Sequence, residues 1–189
     1  MNEIQLIRSQ LSTERQRVVE AANTCAAAYA GADAGSARDG SALEAFGRAC
    51  REYLFWVLSR FDERDQRLGE LYAHARRDDP ERDALAKLLT PRSETAEAVG
   101  RLTPSIAAVA PAEPDTGARE GWRELARYLG EAWAPRRTAI DALLAANQRV
   151  SDWRAFSGID ADSILEERAR YAQVRQTVPA GVEPGIRPG

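Results

Sequence analysis

Apolar residues recur at alternating intervals of three and four along most of this chain, and no other feature constrains its fold as much. That interval is the period of an α-helix with one buried face. Ile4, Ile7, Leu11, Val18, Ala21, Cys25 and Ala28 mark a first helix over about residues 2–29. Leu43, Phe46, Cys50, Leu54, Val57, Leu58, Phe61, Leu68 and Tyr72 mark a second over about 41–75, which Ser41 and Glu44 open as a capping box. Asp79-Pro80 starts a third, with the stripe Leu85, Leu88, Val99, Leu102, Ile106 and Val109 broken into kinked segments at Thr90-Pro91 and Thr103-Pro104. Trp122, Leu125, Leu129, Trp133, Ile140, Leu143 and Leu144 define a fourth over about 119–147. The expected fold is all-α: an up-and-down four-helix bundle over residues 1–150 with a short additional C-terminal helix. That helix, carrying Ile164, Tyr171 and Val174, lies in an extension over 151–177 that Trp153 and Phe156 tack onto the bundle. The Pro- and Gly-rich stretch 178–189 is expected to be a disordered tail.

Composition removes several function classes. The formal net charge is −3, and cations are matched by carboxylates along the whole chain, so no basic footprint for nucleic acid exists. Lys87 is the one lysine among 26 basic residues, a bias that reads as a GC-rich bacterial genome, so arginine enrichment says little about anion binding. No segment approaches the ~20 apolar residues of a membrane span and the N-terminus carries no signal-peptide pattern, so a cytoplasmic protein is expected. Two cysteines, Cys25 and Cys50, are too few for a disulfide framework; both fall on apolar stripes, as buried thiols do. The glycine-punctuated stretch 31–40 follows a helix and lacks a Gly-Lys-Ser/Thr ending, so it is a loop and not a phosphate cradle.

Each stripe has one polar interruption: Glu14 in helix 1, Asp65 in helix 2, Arg92 in helix 3 and Arg136 in helix 4. In an up-and-down bundle, roughly 1.5 Å of rise per residue puts all four about 15 to 18 Å above the same end. Two carboxylates and two guanidinium groups sum to zero charge, as a buried layer requires. The expectation is an interior ion-pair cluster; the competing reading is ordinary solvated ion pairs on helix flanks.

The layout resembles the hemerythrin-like, HHE cation-binding family over roughly residues 2–150. The run from Tyr53 to Leu68 is similar to that family's second helix, which carries a His-x-x-x-Glu ligand pair; here Phe61 and Asp65 stand in those places. Leu88 to Ala96 is similar to its third-helix segment, with Arg92 and Ala96 in place of two histidines, and Trp133-Ala134-Pro135-Arg136-Arg137 in helix 4 has no histidine. Phe, Arg and Ala cannot coordinate iron. The resemblance therefore implies a metal-free member, with two arginines supplying the positive charge of two cations, and no metal or cofactor is expected. A patch over Ala42 to Phe46, Tyr53-Leu54, Phe61 and Glu63-Arg64 also resembles the regulator-of-sigma-D family, bundle proteins that bind another protein.

His74, the one histidine, lies four residues after Glu70 near a helix end, where interaction with the helix dipole is its ordinary role. Phe55 and Trp56 are the candidate partner surface, because Trp56 lies off the core stripe beside Phe55; the C-terminal helix or a second copy in a homodimer could equally cover them. The function expected is a non-catalytic protein-interaction or regulatory module. The alternative is a pocket in which Arg92 and Arg136 bind a small anionic ligand, as a sensor or an enzyme. A cavity reaching the arginines, or carboxylates filling that space, discriminates the two.

Overall fold

A computed structural model describes residues 2–31, 40–74, 80–89, 98, 116–145 and 150–182. Every regular element among these is helical. Helix α1 (Glu3–Ala30) is followed by α2 (Gly40–His74) and α3 (Pro80–Leu88). Next, α4 (Thr116–Tyr128), a π turn (Leu129–Trp133) and α5 (Ala134–Ala145) form one continuous rod. Two shorter helices close the chain, α6 (Val150–Ser157) and α7 (Ala161–Gln176). Helix α1 packs against α2 and α4, α2 against α6 and α7, and α3 against α5. One apolar core runs through all of them, with Trp122, Trp133, Trp153, Phe46 and Tyr53 among its largest side chains.

The helix ends follow local chemistry, though not always that expected. Asn2 caps α1 with a reciprocal box: Gln5 N–H donates to Asn2 Oδ1 at 2.8 Å, and Asn2 N–H donates to Gln5 Oε1 at 3.0 Å. Helix α2 begins at Gly40, one residue before Ser41, and the Glu44 carboxylate accepts from Arg48 Nη2 at 3.0 Å. The C-terminal helix is capped by Asp160, whose carboxylate accepts from Ser163 N–H at 2.8 Å. The chain beyond it is not a tail from residue 178 onward. Val178 and Val182 pack on the core, and Val182 N–H donates to Pro179 O at 3.2 Å. Expectations for Asp79, for the kinks at Thr90-Pro91 and Thr103-Pro104, and for 183–189 lie outside the described residues.

The π turn has an identifiable cause. Pro135 has no N–H and its ring would collide with the carbonyl one α-helical turn earlier. The turn before it is correspondingly wide, and Ala134 N–H reaches back five residues to Leu129 O. The buried face continues through it as Leu129, Trp133, Arg137, Ile140 and Leu144.

Gly47 of α2 lies against the Tyr29 ring of α1. A Cβ there would sit 2.3 Å from the buried Tyr29 hydroxyl. Gly47→Ala removes an unfavourable helical glycine, worth about 1 kcal/mol, but forces the Tyr29 ring out of a packed site at about 1–3 kcal/mol. We expect a net loss of about 1 kcal/mol in urea unfolding, whereas a gain would show that Tyr29 moves freely.

Candidate functional site

The charged interior is built from sequence neighbours on α2. Successive residues on a helix point about 100° apart, so Arg64 and Asp65 face different partners. Arg64 reaches α1, where Nη1 donates to Glu14 Oε2 at 2.5 Å, and α6, where Nε donates to Ser157 O at 2.7 Å. Gln10 Nε2 donates to the other Glu14 oxygen at 3.3 Å. Asp65 reaches α5, accepting from Arg137 through both guanidinium nitrogens, Nη2 at 2.7 Å. All four charged side chains are buried. Phe61, one turn earlier, lies beneath both cations, 4.9 Å from Arg64 Cζ and 5.2 Å from Arg137 Cζ. Its ring meets Trp133 edge-on at 5.0 Å.

On the rim of this layer Arg15 Nη1 donates to Asp141 Oδ2 at 2.6 Å. The three carboxylates and three guanidinium groups balance. The cavity that Arg15, Arg64, Asp65, Arg137 and Asp141 line with Phe61 and Phe156 has a volume of only about 20 Å³, room for about one water molecule. Burial lowers the Arg64 guanidinium from its ordinary value, and Glu14 opposes that shift without cancelling it.

Burial also holds the Asp141 carboxyl above the ordinary value of 3.8, against the pull of Arg15. Such a group binds its proton more tightly folded than unfolded. Its contribution to stability is therefore full below the unfolded value and is lost as pH rises through the folded one. We expect Asp141 to titrate above 3.8 in a carboxyl-carbon NMR series; a midpoint below it would contradict the burial.

A second polar seam ties α7 down. Glu167 is fully buried, accepting from Tyr53 Oη at 2.9 Å and pairing with Arg17. Burial, with Glu167 adding to it, raises the Tyr53 hydroxyl well above its ordinary value, so Tyr53 stays a donor.

The expected cluster of Glu14, Asp65, Arg92 and Arg136 is thus redrawn. Glu14 and Asp65 are interior and ion-paired. Arg136 is half-buried, and its neighbour Arg137, four residues after the buried Trp133 and three before the buried Ile140, takes the interior place. Arg92 lies outside the described residues, and Arg64 supplies the second buried guanidinium. The Phe55–Trp56 pair is split. Trp56 is half-buried between the guanidinium groups of Arg60 and Arg170, each 4.9 Å from its ring, so α7 covers it. Phe55 alone is exposed, at 62 %.

Cys25 and Cys50 are both fully buried and meet across α1 and α2; burial pushes the Cys25 thiol well up. Neither is poised as a nucleophile. Among the described residues no three of His, Cys, Asp and Glu converge as a metal donor set, and no helix is long and apolar enough to cross a membrane. No protein-family model matches this chain, no curated protein matches it, and no solved structure matches its fold.

Proposed function

We propose that this chain is a metal-free helical bundle of hemerythrin-like layout that works as a protein-interaction or regulatory module. In that arrangement α1, α2, α3 and the α4–α5 rod are the four staves. One observation carries the reading: the interior arginines are held by carboxylates around a space of about 20 Å³. Phosphate or a small carboxylate has no room there, which disfavours the anion-binding alternative. Phe61, in the place of a ligating histidine, is a platform for two cations. With the interior closed, recognition falls to the surface, where Phe55 and Leu165 are large, apolar and exposed.

Photoreactive amino acids placed at Phe55 and Leu165 in the native cell test the reading. A discrete crosslinked protein from either position is the expected result, and the absence of one at both would sink it. Elemental analysis of the purified chain tests the metal-free part, since stoichiometric iron, zinc or manganese would overturn it. Phosphate and citrate should leave the Tm unchanged; a saturable rise would restore the ligand reading.

A further inference from the structure

Helix α7 is attached unlike the others. Of its residues, Ser163, Glu167 and Val174 are fully buried, and Val174 is the one apolar side chain among them. Helix α1, by contrast, buries Ile7, Leu11, Val18 and Cys25 along its length. What holds α7 is largely polar: Glu167 on Tyr53 and Arg17, Arg175 on Glu20 at 2.9 Å, and Arg170 stacked on Trp56, beside Val174 and a Tyr171 ring 5.5 Å from that of Tyr53. Its last turns also pack incompletely. An open groove of about 340 Å³ runs between Gln173 and Thr177 on one side and Ala45 and Ala49 of α2 on the other. Just before α7, Gly158 adopts φ +56°, a backbone state that glycine enters readily.

Buried ion pairs confer geometry more than they confer stability. Removing one partner strands a charge, but separating both into water restores their hydration, so a helix held this way docks specifically and lifts at low cost. The surface under α7 combines Tyr53, Phe46, Trp56 and the Arg17 guanidinium, the aromatic-plus-arginine composition of interface anchors.

We propose that α7 is a displaceable strap occupying, in cis, the groove that this module offers a partner. The partner is an amphipathic helix that sets a carboxylate between Arg17 and Tyr53 where Glu167 now sits. This rests on the interaction reading above and names the groove and the chemistry it takes. A second copy of α7 in trans is the simplest probe.

Hydrogen exchange on the full chain tests the strap without any partner, so it can fail or succeed whatever the crosslinking shows. The amides of 161–176 are expected to exchange at least tenfold faster than those at the centre of α2, through an opening that leaves α1 and α2 protected. Exchange of α7 in step with α1 and α2 would overturn the proposal. A labelled peptide of residues 160–178 then probes the groove. It should bind the full-length Glu167→Gln chain more tightly than the wild-type chain, whose own strap competes. The same peptide carrying Glu167→Gln should bind roughly tenfold more weakly, because a charge-assisted bond becomes a neutral one. Equal binding of the two peptides, or no binding of either, would overturn the carboxylate-docking claim.

Discussion

Arg137→Ala is expected to destabilise the chain by about 3–5 kcal/mol, whereas Arg136→Ala one residue away should cost less than about 1 kcal/mol. Arg137 is 5 % exposed and forks onto both Asp65 oxygens, so its loss strands a buried carboxylate. It also strips a cation from the faces of Phe61 and Trp133. Arg136 is half-buried, and solvent can replace what it loses. Parallel urea titrations of the two variants measure the contrast. If the two costs were equal, the assignment of Arg137 as the interior cation would be wrong.

The second large effect is expected at Glu14. It is fully buried and holds Arg64, which in turn holds the last carbonyl of α6 at Ser157. Glu14→Leu should cost about 3–5 kcal/mol because Arg64 is left charged in a site whose desolvation already lowers its pKa. Since Arg64 links α1, α2 and α6, the variant should also loosen α6. Trp153 of α6 lies 5.0 Å from Phe156 in the core, so faster exchange of the α6 amides is the accompanying sign. Faster exchange in α3 with none in α6 would place the damage elsewhere.

The parts of this site that can be read from sequence follow one rule, a polar residue at an apolar stripe position. Glu14 and Asp65 are found that way because α1 and α2 keep an uninterrupted α-helical period. Arg64 escapes because one interruption per stripe was assumed, although residues three and four after Phe61 both face inward. Arg137 escapes because Arg136 and Arg137, three and four residues after Trp133, both fit the helical period, and spacing alone does not choose between them. Glu167 obeys the rule, filling the gap between Ile164 and Tyr171, and the same search applied to α7 finds it. Trp56 could be placed off the core stripe by spacing, but not beneath Arg170, because a contact between α2 and α7 depends on the path of the chain between them.

The central claim is that the interior charges exist for one another. A double-mutant cycle on Glu14→Leu and Arg64→Met tests it most directly, since the two touch at 2.5 Å and removing both leaves no stranded charge. If the layer is a self-satisfied lock, the double variant should fall short of the sum of the single costs by at least about 2 kcal/mol and remain folded. Costs that simply add would contradict the account, because each charge would then be serving a partner other than its neighbour.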